Sequence, residues 1–489
     1  MPKLQIDTPL QNELEYSKLG FLFLSISQGI RKIWEKPETK IIFLVIIARI
    51  FFIIATHYGM DFDFYIEIAQ RVLAGEKLYT DIKSTHMPLV DLIYIAMYTL
   101  CPWKQNIIAV RIFLKFPFLL TDIGIALAVM KIIEFDKRKG FSFEEKLTSE
   151  QIKSLTRSKL IAGYFVAFSL PLIFQTGGGR YDSLMIFCFA MVVYYLQRRN
   201  WFGVAFFAAL GTSAKYIGVI FLPFVILWMK KEDLKSFIAG IFLGLLPIYP
   251  FLITRPVAFI EGIFLRGSHI AYGFSLWHAI FIIWNKFSMK YVDGIESTYD
   301  SSGEPWFVSN LYFPLFIAVY GLIFTLYVIK WWNTIRTEKI EDQKLTSLVN
   351  FVFIPLFIFG STFKAINLQV LAWFTPYIAL KNKLDLLIEY TFLTLIFGIG
   401  LLFFESYNVT AFEALSLQSA GKGSVFYILL IRPISIIRDQ TSSTIWVGII
   451  FATIIWYLIR TSIELGISTK EILSIKNNKL KNPIEISNS

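Results

Sequence analysis

Cysteine is nearly missing from this chain: Cys101 and Cys188 are the only two in 489 residues. So sparse and separated a pair excludes a disulfide framework and a cysteine-held metal. Histidine is almost as scarce, with His57, His86, His269 and His278 and no HxxxH or HxH spacing, so no metal site is expected. The combination left for a divalent cation is His57 or His86 with Asp61 or Asp63. No glycine-rich phosphate loop follows a strand, which disfavours a nucleotide-activated substrate. Charged residues make up only 17% of the chain, against about 25% in ordinary soluble domains. No stretch reads as a soluble domain or an internal repeat.

What fills the chain is apolar. Hydrophobic residues reach 55% with a mean hydropathy of +0.59, and they come in blocks parted by short charged stretches. A spanning helix needs about 20 mostly apolar residues, and roughly twelve crossings are expected here. The fold class is therefore all-α, a multi-pass integral membrane protein forming one domain over 1–489. A polar, basic tail at 461–489 carries Lys470, Lys476, Lys479 and Lys481. The net charge of +11 sits in short loops and in that tail rather than in a basic stripe interleaved with aromatics. Membrane lipids, not nucleic acid, are the expected partner. The polar N-terminus (Lys3 to Lys18) lacks the layout of a cleaved signal, and Phe21–Trp34 reads as a surface helix.

Basic loops orient the threading, because positive charge is retained on the cytoplasmic side. The loop from Asp136 to Lys159, the pairs Arg198/Arg199, Lys230/Lys231 and Lys381/Lys383, and the tail are all expected inside. Ile41–Ala55 then crosses outward to an acidic loop. Met87–Leu100, with 14 residues, Pro88 and Asp91, is too short to cross and is expected to lie in the interface. The first external loop is thus large, about 57–106, and holds two surface helices. The first, Phe64–Ala74, has Phe64, Ile68 and Val72 on one side and Glu67, Gln70 and Arg71 on the other. Leu160–Gln175 crosses outward, Ser183–Gln197 returns, and Trp201–Met229 is expected to be a hairpin of two short helices with Lys215 near its bend. Asn408 opens a glycosylation sequon on a later external loop.

Four polar groups converge on the external face in this threading: Asp61/Asp63, Arg180/Asp182, Lys215, and Asn367/Gln369. An ionisable residue at membrane depth costs about 2.5–3.5 kcal/mol on insertion scales, so it has a partner or a function. Structural roles compete at each position. Asp61 or Asp63 suits the N-cap of the helix that follows; Arg180 and Asp182 suit an exposed loop pair; Lys215 suits a snorkelling side chain. Arg111, Lys115 and Asp122 read as structural pairing inside one crossing helix.

In order, the motifs resemble those of the GT-C superfamily of membrane glycosyltransferases, nearest to its polyprenyl-phosphate-mannose-dependent mannosyltransferases. The first loop carries DF-x-x-Y (Asp61, Phe62, Tyr65), Ala69, Gly75, LY-x-D (Leu78, Tyr79, Asp81) and Pro88-Leu89. GGGRYDSL (177–184), GVAFFAALGTSAKYIGVIFLP (203–223) and NLQVLAWFTP (367–376) follow. The likeness covers 40–380. It departs at Met87-Pro88, where relatives often have an aromatic and two prolines, and at Arg180, where many have Gln. The resemblance implies an inverting transfer of a sugar, mannose by this likeness, from a polyprenyl (dolichyl)-phosphate donor to a lipid-linked or glycan acceptor. It implies Asp61, or else Asp63, as catalytic base, with Lys215 and Arg180 on the donor phosphate. Asp182, Tyr65, Asn367 and Gln369 would hold sugar or acceptor, and Trp373 would line the lipid groove. No cofactor is implied beyond the divalent cation considered above. The site would face the extracytoplasmic side of the cell membrane, or of the endoplasmic reticulum in a eukaryote. The rival reading is a transporter or flippase of lipid-linked sugars, which typically shows matched interrupted helices in two halves.

Overall fold

The structure, a computed structural model, describes residues 34–55, 59–84, 86–139, 148–265, 272–273, 275–287, 306–337, 344–363, 365–366, 370–381, 388–391, 394–395 and 432–465. The regular structure among them is helical apart from an isolated Leu78–Ile82 bridge and a two-residue parallel pairing of Tyr272-Gly273 with Ala365-Ile366. The helices are α1 (Pro37–Ala55), α2 (Gly59–Leu73), α3 (Pro88–Leu100), α4 (Ile107–Lys139), α5 (Ser149–Ala167), α6 (Leu170–Gly177), α7 (Asp182–Leu196) and α8 (Trp201–Ala214). Then come α9 (Leu222–Ile226), α10 (Leu234–Gly244), α11 (Tyr249–Thr254), α12 (Pro256–Leu265), α13 (Leu276–Phe287), α14 (Trp306–Thr337), α15 (Leu345–Thr362), α16 (Val370–Trp373), α17 (Thr375–Lys381) and α18 (Arg432–Leu465). Among the described residues, Ile107–Lys139, Trp306–Ile329 and Leu345–Thr362 are long and apolar enough to cross a bilayer, and α5 with α6 makes a fourth if counted as one bent span. The protein is a helical membrane protein. Most of the Trp306–Ile329 stretch is exposed, whereas Leu345–Thr362 is almost wholly packed inside the bundle. The sequon at Asn408 and the segment 21–33 lie outside the described residues.

Leu160–Gln175 does not run straight. It bends by 49° between α5 and α6, because Ser169 takes an extended conformation, accepts from Leu172 N–H, and is followed by Pro171 in the new first turn. Proline starts a helix well, since its missing N–H would have been unpaired there anyway. The bend leaves carbonyls at the end of α5 in need of donors, and Arg49 of α1 supplies them. Its Nη1 donates to Ala167 O (2.6 Å) and its Nη2 to Val166 O (3.0 Å). Its Nε meets Asp122 Oδ2 of α4 at 2.5 Å, and that same oxygen accepts from Thr176 Oγ1 of α6 at 2.7 Å. Arg49 and Asp122 are both fully buried. One ion pair therefore joins α1, α4 and both halves of the bent span.

The bundle has two polar ends. At one, Lys159 bridges Glu38 (2.5 Å) and Glu134 (3.0 Å), and the Arg198 guanidinium lies 4.2 Å from the Phe135 ring and 3.6 Å from that of Tyr194. Burial works to raise the Glu38 carboxyl, but Lys159 outweighs it and holds Glu38 below the ordinary carboxylate value. Lys381, expected in a wet loop, is instead buried and paired with Glu464 of α18 at 2.6 Å, where Asn350 also donates (2.9 Å). The C-terminal helix is thereby tied to α15 and α17. The opposite end of α4, α7 and α8 carries the candidate site.

Helices α8 and α10 meet through small residues. Gly240 and Gly244 form a G-x-x-x-G stripe, and a Cβ at these positions would come 2.4 Å from Phe202 O and 2.5 Å from Phe206 O. Close backbone approach of this kind is how helices associate in lipid, where burial of apolar surface gives no drive. Ser213 Oγ seals the contact by donating to Gly244 O (2.9 Å).

Gly244→Leu is expected to lower stability by about 1–3 kcal/mol through overpacking, read as a lower unfolding midpoint in detergent. Arg49→Met or Asp122→Leu alone is expected to cost about 3–5 kcal/mol by stranding the other charge, and the double variant to recover part of it. Additive losses in that cycle would contradict the role given to the pair.

Candidate functional site

The site grows from the turn between α6 and α7. Gly179 (φ +73°) ends α6 with a left-handed residue, and Arg180 N–H closes back on Gln175 O at 2.8 Å. Helix α7 starts at Asp182, so Arg180, Tyr181 and Asp182 occupy the apex between two helix ends. All three are buried, Asp182 completely. A carboxylate in the first turn of α7 is favoured by the helix dipole.

Lys215 reaches this apex from α8. The helix ends at Ala214, Lys215 is extended (φ −155°, ψ 125°), and a short 3₁₀ turn, Tyr216–Val219, turns the chain back so that Gly218 lies against the backbone of Gly211 and Thr212. This is the interrupted hairpin expected from sequence, with Lys215 at its break. Lys215 Nζ lies 2.7 Å from Asp182 Oδ1, and Trp373 Nε1 donates to the same oxygen at 3.0 Å. The ammonium stands 4.8 Å from the Trp373 ring and 5.6 Å from that of Tyr181. Three site residues expected from separate motifs, Asp182, Lys215 and Trp373, thus touch one another. Asp182 Oδ2 is buried and takes no hydrogen bond among the described residues. An ammonium with N–H groups to spare beside a carboxylate oxygen open to a donor suits a ligand that is both anionic and hydroxylated.

The first loop closes one wall. Phe62 of the DF motif packs on Gly179, where an added Cβ would sit 2.3 Å from Phe62 Cε2. Tyr94 of α3 donates to Gly179 O, and its ring stacks on Tyr65 at 4.0 Å. Tyr65 and His86 lie edge-on to Tyr181 at 6.2 and 5.7 Å. The buried face of α2 is wider than the expected Phe64–Ile68–Val72 stripe: Phe62, Tyr65, Ile66, Ile68 and Ala69 are buried, Phe64 and Val72 pack half-buried against them, and Glu67 and Gln70 are exposed as expected. Protein rather than lipid covers it. The LY-x-D motif builds the turn: Asp81 accepts from Lys77 N–H (2.8 Å), Tyr79 holds φ +69°, and Arg255, between α11 and α12, donates to Leu78 O (2.6 Å).

Of the two base candidates, Asp63 is half exposed and paired with Arg111 at 2.8 Å. Asp61 lies on α2 four residues before Tyr65, hence on the same helix face, and its side chain lies outside the described residues, as do Asn367 and Gln369. Arg111, Lys115 and Asp122 pair structurally, but with Asp63, the carbonyl of Ile53 (2.8 Å) and Arg49 rather than with each other.

In the sequence, Asp91 marks only a segment too short to cross, His86 only a ligand for a divalent cation, and Ser84 nothing. Asp91 is fully buried on α3, accepts from Ser84 Oγ (2.7 Å) and Tyr79 Oη (3.4 Å), and stands 4.0 Å from His86 Nδ1. Burial, and next the Asp91 charge, push the Tyr79 hydroxyl far above its ordinary value, so it stays a donor. The available signal was an aspartate inside a short, otherwise apolar helix. Among the described residues no group of three or more His, Cys, Asp or Glu is arranged to hold a metal ion. No protein-family model matches the chain, and no curated protein does.

Gly179→Ala is expected to destabilise the protein by about 1–2 kcal/mol from the left-handed backbone alone, and further through its clash with Phe62. Phe62→Ala in the same chain should restore part of the loss in thermal unfolding. A Gly179→Ala variant as stable as its parent would contradict the packing of these two motifs.

Proposed function

We propose that the protein is an inverting glycosyltransferase of GT-C type, with about twelve crossings. It takes a sugar from a polyprenyl-phosphate donor and passes it to a lipid-linked or glycan acceptor at the external membrane face. The observation that carries this reading is the Asp182–Lys215–Trp373 cluster, with Lys215 Nζ 2.7 Å from Asp182. It stands at the end of the bundle away from the basic loops, beside two helices too short to cross. A lipid-borne phosphate enters such a place from the membrane without leaving its carrier.

The acceptor hydroxyl attacks the anomeric carbon while the bond from that carbon to the phosphate oxygen breaks. The hydroxyl proton passes to a carboxylate, and Asp61 is the better candidate, because Asp63 is already held by Arg111. Carboxylates act as bases within one hydrogen bond of the proton they take. Charge growing on the departing phosphate is met by Lys215, which lies near the rings of Tyr181 and Trp373, with Arg180 of the same apex as the second cation. Asp182 Oδ2 accepts a sugar hydroxyl. A single displacement inverts the anomeric centre.

A carrier of lipid-linked sugars is the second reading. It is favoured by two interrupted helices, α5–α6, which ends beside the polar cluster, and α8–α9, which breaks at it, a device common in transporters. Purified protein in proteoliposomes, given radiolabelled polyprenyl-phosphate mannose and a panel of acceptors, separates the two. Transfer is expected in the parent, a fall of about 10²-fold or more in Asp61→Asn, and little change in Asp63→Asn. Equal transfer by all three removes the proposed base. Movement of labelled lipid across the bilayer without a new product favours the carrier.

A further inference from the structure

The turn that carries the LY-x-D motif is fastened to an element that the transfer step above does not use, the angle between α11 and α12. The Tyr79 ring meets Phe251 of α11 and Phe259 of α12 edge-on, each at 5.1 Å. Gly262 of α12 lies against the far end of the turn, where a Cβ would come 2.7 Å from Ser84 O. Arg255 sits at the angle itself, outside both helices and half-buried (φ −149°, ψ 53°). Its Nη1 donates to Leu78 O at 2.6 Å, and the guanidinium has no other partner among the described residues. Arginine carries five N–H donors in a fixed fork, so most of them are left over.

The outer side of the same element is apolar. Ile253 is 77% exposed and Val257 67%, with Leu252 and Ile260 beside them. The exposed apolar row continues onto α10 at Ile238 and Phe242. Sequence gives the depth. Between Lys235 and Arg255 lie 19 residues without a charge, 236–254, and about 20 apolar residues cross the hydrocarbon of a bilayer. With Lys230, Lys231 and Lys235 at one face, Arg255 emerges at the other, level with the lipid headgroups.

We propose that the α11–α12 angle binds the phosphate of a bilayer phospholipid. Arg255 donates to the phosphate oxygens, and the acyl chains lie along Ile253, Val257 and Ile260. The planar guanidinium matches two phosphate oxygens at once. Its bond to Leu78 O holds the fork in place before a lipid arrives, so little freedom is lost on binding. Lipid and turn are thereby coupled: a phosphate that fixes the guanidinium also fixes the Leu78 carbonyl, and with it the first loop that walls the apex. This holds whatever reaction the apex performs.

The test follows hydrogen exchange of residues 77–84 in the purified full chain in maltoside detergent. Phosphatidylglycerol is titrated in, and separately a diacylglycerol with the same chains. The phospholipid is expected to slow exchange in the parent, and the diacylglycerol to leave it unchanged. Equal effects, or none, would overturn the proposal. Arg255→Gln should raise the phosphatidylglycerol concentration needed by about 10-fold or more, the size of a lost hydrogen bond to a charged group. Arg71→Gln removes a cation from the same turn that Glu76 already holds, and should leave that concentration unchanged. An equal shift in both variants, or none in Arg255→Gln, would overturn the assignment. Displacement of phosphatidylglycerol by polyprenyl phosphate at a tenth of its concentration would overturn it too, giving the angle to the donor lipid.

Discussion

Arg49 and Asp122 meet where no water reaches, and the rest of the site depends on that meeting. A bent span leaves carbonyls without helical donors at its break, a cost that lipid cannot relieve. Arg49 covers the carbonyls of Ala167 and Val166, Asp122 neutralises Arg49, and Thr176 finishes the shell on the far side of the bend. With the bend held, α6 leads through the left-handed Gly179 to the apex, and Asp182 is delivered to the point that Lys215 and Trp373 also reach. Buried ion pairs seldom add much net stability, since desolvation offsets attraction. Here the pair fixes a geometry that apolar packing alone would leave free to straighten.

Polar chemistry is kept at the two ends, and the middle is closed by shape. At one end, Lys159 and Glu464 each gather several helices around a single charge. At the other, cation, carboxylate and aromatic rings share one buried apex. Between them, Gly240 and Gly244 let α10 press on α8, where larger side chains would hold the helices apart. The Lys215 break therefore sits on a rigid support: α8 cannot slide along α10 without opening that contact and the Ser213–Gly244 hydrogen bond.

Much of this was legible in the residues. Hydropathy marked the apolar blocks, and the segment Met87–Leu100, read as a short apolar unit, forms a helix of 13 residues, Pro88–Leu100. The break at Lys215 followed from a lysine inside an apolar stretch bounded by two basic pairs. Other features were hidden for a physical reason: periodicity names an apolar face but not what covers it. So the dry side of α2 is wider than its spacing suggests, because Gly179 and Tyr94 lie over Phe62 and Tyr65. Lys381 looked like a loop residue because its partner, Glu464, is 83 positions away. The bend at Ser169 had a local sign in Pro171, masked by the continuous apolar run around it.

The central claim is that Lys215 receives the phosphate of a lipid-borne donor. A cryo-EM structure of the protein in a nanodisc containing a polyprenyl phosphate tests this most directly. The account predicts phosphate density within about 2.7–3.2 Å of Lys215 Nζ, with the lipid chain leaving the apex toward the membrane past Trp373. Phosphate bound instead at the basic end, near Lys137 to Lys139, with Lys215 still closed on Asp182, would contradict it.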